Sequence, residues 1–271
     1  MQLRPPCDLE VHFEESTREG KESPRMNDFI SAAFPESAAG GFSRCDGTMQ
    51  FYQRVQALLQ PDQVVLDFGA GRGAAYYEDP SSYRKGLRDL RGEGRSIVGA
   101  DVDPAVKGNP WLDEAVVIQA DLSLPFPDRT FNLVVSDSTF EHVSDPAGIA
   151  HELDRILKAD GWICARTPNR RGYVAVVNRM VPSSIAHRLV RSAQPNRKAQ
   201  DIFPAHYRMN TLGTLRKLFP ADRYDHLSFA FDSEPRYHFN RRSIFLLLMG
   251  LHAITPPPLR NTLMLFIHKH G

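Results

Sequence analysis

Five short apolar runs, Val64–Phe68, Ser96–Ala100, Ala115–Gln119, Phe131–Ser136 and Trp162–Arg166, succeed one another along the chain, with stretches between them long enough to hold helices. A run without polar alternation has no side to turn to water. It belongs in a sheet covered by helices on both faces, and such sheets are built from parallel strands. The predicted fold is therefore α/β, a mostly parallel sheet with helices on both faces. Met49, Tyr52, Val55, Leu58 and Leu59 recur at helical spacing up to Pro61 and predict a helix feeding the first strand. Asp145 and Pro146 open the clearest helix, Asp145 to Lys158, whose stripe of Ile149, Leu153, Ile156 and Leu157 faces the sheet. Further on, the pattern predicts a helix at Leu212–Phe219 and strands at Tyr224–Phe231 and Thr262–His268.

The first run feeds into Gly69-Ala-Gly-Arg-Gly73. Glycines at the carboxyl end of a strand let the backbone turn sharply and leave bare main chain for a ligand, at the place where open α/β sheets bind nucleotides. The spacing is GxGxG, not the GxGxxG of dinucleotide-binding enzymes, and Asp67 stands two residues ahead of the first glycine, where those enzymes carry an apolar residue. A carboxylate there suits a cationic group such as an ammonium better than a pyrophosphate. The second strand ends at Asp101, the position that hydrogen-bonds a ribose diol, while Asp103 before Pro104 reads as a turn or cap residue. The third ends at Asp121, which either accepts from an exocyclic amine or caps the turn.

Taken together, Val64-Val-Leu-Asp-Phe-Gly-Ala-Gly-Arg-Gly73, Gly99-Ala-Asp-Val-Asp-Pro104, the stretch from Ala120 to Ser136 and Phe140-Glu-His-Val143 resemble, in order and spacing, the successive motifs of class I S-adenosylmethionine-dependent methyltransferases. The stretch from Glu152 to Trp162 and Thr167-Pro-Asn169 extend the resemblance, which covers about residues 48–169. It implies a Rossmann-like, seven-stranded sheet with an antiparallel last strand, S-adenosylmethionine as cofactor, and methyl transfer. By position it makes Asp67, Phe68, Gly69, Ala70, Gly71 and Gly73 the cradle for the methionine end. It also sets Asp101 on the ribose, Val102 on the adenine face, Asp121 and Leu122 on the adenine edge, and Ser136 beside the sulfonium. His142 becomes a candidate base, or else a histidine that fixes the start of the next helix. Glu141 and His142 also resemble part of the pattern of metal-dependent RNA-terminus methyltransferases, but the second acid of that pattern falls on Ser138, so no metal is expected. The stretch from Gly73 to Ser96, interrupted by Pro80 and Gly86, departs from the family's usual first helix, and Tyr76 and Tyr77 within it are candidates to close the pocket. Pro204-Ala-His-Tyr-Arg-Met-Asn210 resembles a feature of the small-molecule- and glycan-modifying branch. There a lid-like insertion precedes a Tyr-Arg pair, which implies Tyr207 and Arg208 on the substrate side.

Charge divides the chain. Residues 1–150 hold 14 basic and 24 acidic side chains, residues 151–271 hold 19 and 8, and the formal net charge is +1. The basic excess gathers at 170–217, either a solvated face or an anion-facing surface; together with the Tyr-Arg resemblance it favours an anionic acceptor, a small molecule or a glycan or lipid-linked group, and oxygen is the expected target. A nucleic-acid substrate is the alternative, disfavoured because aromatics are not interleaved with these arginines; a non-catalytic cofactor-binding protein is the other. Residues 1–46 read as a loosely structured lead-in, and 47–271 as one domain with insertions at about 170–205, a basic lid or peripheral membrane contact, and 234–260. Three widely spaced cysteines fit a reducing, cytoplasmic setting, and Met1 to Phe13 show no apolar core of a secretory signal. The longest apolar run, Ile244 to Leu251, is far short of the roughly 20 residues that cross a bilayer.

Overall fold

The computed structural model describes residues 26–119, 123–180, 204–235, 238–239 and 241–271. The adenine-edge candidates Asp121 and Leu122, and most of the basic insertion, lie outside the described residues. The strands are β1 (Val64–Phe68), β2 (Ser96–Asp101), β3 (Glu114–Val117), β4 (Phe131–Asp137), β5 (Leu157–Pro168), β6 (Tyr224–His226), β7 (Phe229–Phe231) and β8 (Thr262–Lys269). They form one sheet in the order β3-β2-β1-β4-β5-β8-β6, with β7 also on β8. The first five run parallel, and β8 lies antiparallel to β5, β6 and β7.

Eight segments stand where seven strands are expected, and the register explains the difference. His226 opposes Ile267 and Phe229 opposes Met264, three residues on in each strand, so β6 and β7 follow one alignment along β8. The interruption falls at Ser228, whose hydroxyl accepts from the Phe266 amide at 3.1 Å and takes the place of a ladder carbonyl.

The two faces of the sheet are filled by opposite sets of strand residues. Leu66, Phe68, Val134 and Ile163 pack with α5 (Pro146–Ile156) and α7 (Leu212–Leu218), and Val65, Ile97, Leu133 and Cys164 pack with α2 (Gly47–Leu58). This two-sided burial is the reason the strands carry no polar alternation. Helix α5 ends at Ile156, short of Lys158, because Leu157 already pairs with Phe131.

Between β1 and β2 the usual single helix is broken into α3 (Ala74–Glu78) and α4 (Ser82–Arg88). Pro80 between them has no amide hydrogen to continue a helix, and the Ser81 hydroxyl restarts one by accepting from the Arg84 amide at 3.3 Å. Arg84 closes the break by a two-pronged pairing with Asp79, and it reaches Asp46 at 3.1 Å. Asp46 also caps α2, accepting from the amides of Thr48 at 2.8 Å and Met49 at 3.1 Å. Asp46→Ala should therefore lower stability by about 1–2 kcal/mol, read as a lower denaturant midpoint with an unchanged slope on urea unfolding.

Candidate active site

The carboxyl ends of β1, β2 and β4 open into a cleft of about 800 Å³. Gly69, Gly71 and Gly73 form its floor, all with positive φ. The glycines are required for different reasons. A Cβ on Gly69 would lie 2.0 Å from the Thr139 hydroxyl, and one on Gly73 would lie 2.5 Å from Asn109 Oδ1. Around Gly71 no atom lies within 4 Å of that position, so its bare face looks onto open space that a ligand can enter. The loop hangs from the tip of β2: the Gly69 amide donates to the Ala100 carbonyl at 2.7 Å, and the Gly71 amide to Asp101 Oδ2 at 2.8 Å. Asn109 Nδ2 holds it from the other side, donating to the carbonyls of Ala70 at 3.1 Å and Gly71 at 3.3 Å.

Three carboxylates meet at these strand ends, each with a different environment. Asp101 accepts two amides, those of Gly71 and Asp103, both at 2.8 Å. Asp137 takes both prongs of Arg166 at 2.8 and 2.6 Å, Arg88 at 3.1 Å and the Tyr52 hydroxyl at 3.3 Å. Burial alone would push Asp137 up, but the two guanidiniums outweigh it and hold this carboxyl well below the usual carboxylate range. Among the described residues Asp67 has no hydrogen-bonded guanidinium of its own, and the Arg88 charge only partly offsets its surroundings. Burial, then the neighbouring charges of Asp137 and Asp101, push it up to about 7.

At the other end of the cleft, Glu141 and His142 lie in the short 3-10 turn Phe140–His142 that follows β4. His142 Nδ1 is 2.8 Å from the Pro204 carbonyl oxygen. A carbonyl can only accept, so Nδ1 carries the hydrogen, and in the neutral ring this leaves the lone pair on Nε2. Glu141 Oε1 lies 3.9 Å from that Nε2. The Thr167 hydroxyl donates to Glu141 Oε2 at 2.8 Å and accepts from Asn210 Nδ2 at 2.7 Å, a polar chain buried from end to end. Burial pushes the Glu141 carboxyl up, and its hydrogen bonds and the nearby imidazole pull it partly back.

Of the residues singled out from sequence, Phe68 to Gly71, Gly73, Asp101, Val102 and His142 line this one cleft. Asp67 sits directly beneath the loop in β1, half-buried, and Ser136 is fully buried one residue before the lining residue Asp137. Tyr207 is buried in a left-handed turn, and Arg208 donates from the surface to the Ser144 carbonyl at 2.6 Å. From their segment, Pro204 and His206 line the cleft. Tyr76 and Tyr77 are exposed, Tyr76 edge-on to Trp111. Sequence reading missed Asn109, Thr139, Arg88 and Arg166. Only the glycines they crowd, or the acid they pair with, marked their places.

The pH behaviour of Asp67 is open to measurement. Folding raises its proton affinity, so the stability it contributes is complete below about pH 4 and is lost as pH rises through about 7. Asp67→Asn removes that loss. The thermal midpoint of the ligand-free variant, relative to the original protein, should be higher near pH 8 than near pH 4.

Residues 25–227, three quarters of the chain, match the family described as a methyltransferase domain. The chain is 31% identical over 124 residues to the malonyl-[acyl-carrier protein] O-methyltransferase of Halorhodospira halophila, covering 42% of this chain and 39% of that protein. Over 79 residues it is 32% identical to a protein of Mycobacterium tuberculosis named a probable S-adenosylmethionine-dependent methyltransferase, covering 28% of this chain and 29% of that one. The matched regions thus span well under half the length of either relative. Among solved structures, a SAM-dependent methyltransferase from Aquifex aeolicus aligns over 89% of this chain and 97% of its own, with 13% identity and a TM-score of 0.46. With most of its length matched by the family, the chain belongs to the methyltransferase-domain family.

Proposed function

We propose that the protein is an S-adenosylmethionine-dependent methyltransferase acting on the oxygen of an anionic small-molecule, glycan or lipid-linked acceptor. The observation that carries the cofactor assignment is the cradle, in which the unfilled side of Gly71 and the Asp101 carboxylate face one cleft at the strand tips. In this reading the glycine loop and Asp67 take the methionine end, Asp101 takes the ribose hydroxyls, and Val102, exposed on the cleft wall, packs on the adenine. When bound, the cofactor supplies an activated methyl group on a sulfonium.

The protein's part is then alignment, exclusion of water and disposal of one proton. His142 Nε2 accepts the proton as the acceptor's O–H bond breaks, and Glu141 beside it offsets the charge of the resulting imidazolium. The Pro204 carbonyl on Nδ1 keeps the ring in the tautomer this step needs. Oxygen as the target also agrees with the O-methyl transfer named for the Halorhodospira relative. The anionic acceptor is supported by charge. Arg170 and Arg171 are exposed where the Arg170 amide donates to the Asn210 carbonyl at 2.9 Å, at the root of the segment that carries Pro204 and His206 into the cleft.

Binding and turnover test the two halves separately. In calorimetry with S-adenosylmethionine, Asp101→Ala should cost about 1.5–3 kcal/mol, and Gly71→Val should bind more weakly still because its side chain fills the ligand's space. Unchanged affinity in both variants would remove the cofactor from this cleft. With labelled cofactor and a panel of carboxylated, phosphorylated and hydroxylated acceptors, His142→Gln should reduce turnover about 10²–10⁴-fold without changing cofactor affinity. A His142→Gln enzyme of full activity would show that no base acts there.

A further inference from the structure

We propose that the outer face of helix α8 (Arg242–Ile254) docks on an anionic lipid membrane, lying in the headgroup layer and not crossing it. Past Arg242 and Ser243 the helix is apolar on nearly every side, Arg242-Ser-Ile-Phe-Leu-Leu-Leu-Met-Gly-Leu-His-Ala-Ile254, with His252 the one polar interruption. A helix of that kind is stable when both faces leave water. One face does so within the protein: Ile244, Phe245, Leu248, Met249 and His252 turn inward. Phe245 stacks on Phe29 of α1 (Met26–Ala33) at 6.3 Å and meets His238 edge-on at 5.6 Å, and His252 lies 5.7 Å from Tyr173 of α6 (Tyr173–Met180).

Among the described residues nothing covers the opposite face. Leu246, Leu247, Leu251 and Ile254 are 52%, 72%, 38% and 79% exposed, and their spacing puts them in one stripe with Gly250. Val177 of α6 and Leu259, just past α8, add to the exposed apolar surface, so that nearly half of the large apolar residues exposed among the described residues belong to this region. At 13 residues α8 is too short to span a bilayer, and no described helix is long and apolar enough to do so. An apolar face on a short helix is the form that buries itself at the level of the headgroups.

Charge chooses between occupants. No acidic residue occurs in 161–200 or in 235–271, the two segments that carry α6 and α8. The cations nearby, Arg241 and Arg242 at the start of α8 and Arg170 and Arg171 ahead of α6, are exposed. Asn169 Nδ2 donates to the carbonyls of Pro258 and Arg260, which ties the Arg170-Arg171 turn to the end of α8. A second copy meeting the same face about a two-fold axis would set cations against cations. A negatively charged lipid surface satisfies both the leucines and the arginines. α6 and the end of α8 sit where β5 finishes and β8 begins, at the same end of the sheet as the cleft. Docking would hold the cleft toward the lipid headgroups. The surface does not depend on the methyl-transfer reading.

The test is co-sedimentation of the full chain with vesicles of phosphatidylcholine alone or mixed with phosphatidylglycerol, at low and at physiological salt. Binding should favour the anionic vesicles and weaken with salt. Leu247→Asp with Ile254→Asp should reduce it at least about tenfold, with an unchanged thermal midpoint because both side chains are exposed. Arg241→Ser with Arg242→Ser should cost about fivefold for each arginine. Equal binding to both vesicle types, or full binding by the aspartate variant, would overturn the proposal. So would light scattering that shows a dimer dissolved by Leu247→Asp in a protein that ignores vesicles, since the face would then belong to a second copy. Either result leaves cofactor binding, measured separately by calorimetry, unaffected.

Discussion

The arrangement of the cleft follows from the presence of three carboxylates, Asp67, Asp101 and Asp137, at the tips of three adjacent parallel strands. Like charges this close, and partly removed from water, cannot all be ionised without compensation. Each acid meets the problem differently. Asp137 is neutralised by Arg88 and Arg166, Asp101 is solvated by two backbone amides, and Asp67 retains its proton to near neutral pH. The solutions shape the chain around them. The helix after the glycine loop breaks at Pro80 and its second half ends at Arg88, while α2 supplies Tyr52 to Asp137 and the Thr48 hydroxyl to both guanidiniums. The glycine loop turns over Asp101 because that carboxylate anchors it. A cationic ligand group entering beside Asp67 would complete the set by stabilising the one of these three acids that has no hydrogen-bonded partner among the described residues.

What could be read in the sequence was whatever depends on local pattern. Unalternated apolar runs marked the parallel strands because β1, β2, β4 and β5 are covered on both faces, while the edge strand β3 stays partly exposed, and the Asp145-Pro146 pair marked α5 because its side chain caps the helix at 3.1 Å. The glycines and Asp101 were visible because a turn at a strand tip has few chemical solutions. What remained hidden depends on residues distant in sequence. Nothing in the composition around Asn109 shows that its amide will hold a loop about 40 residues earlier, and Arg88 and Arg166 look like any surface arginines until folding brings them to one acid. The division of Tyr224–Phe231 into β6 and β7 rests on one hydroxyl taking over a backbone role, which hydrophobic alternation does not record.

The end of the cleft at Glu141 obeys a similar economy of partners. The Glu141 carbonyl accepts the amides of His206 at 2.7 Å and Tyr207 at 3.1 Å, while its carboxyl is oriented by Thr167, itself held by Asn210. One residue thereby fixes the segment that returns to the cleft and presents an acid to it. The left-handed backbone of Ser138 and Tyr207, uncommon for residues with a side chain, occurs on either side of this junction. Such conformations persist only where surrounding bonds over-determine them, and here they are supplied by both flanking strands and the returning segment.

The hydrogen bond from the Arg170 amide to the Asn210 carbonyl joins the two ends of the long excursion between β5 and α7. A loop whose ends are already clasped behaves as a separable cassette: changing its length alters closure entropy only logarithmically, and changing its composition leaves the sheet, the glycine loop and the three acids as they were. The chain between the clasped ends can therefore vary while the platform of strands and glycine loop is kept. A graft between relatives would have to retain Asn210, whose side chain holds Thr167 and, through it, Glu141.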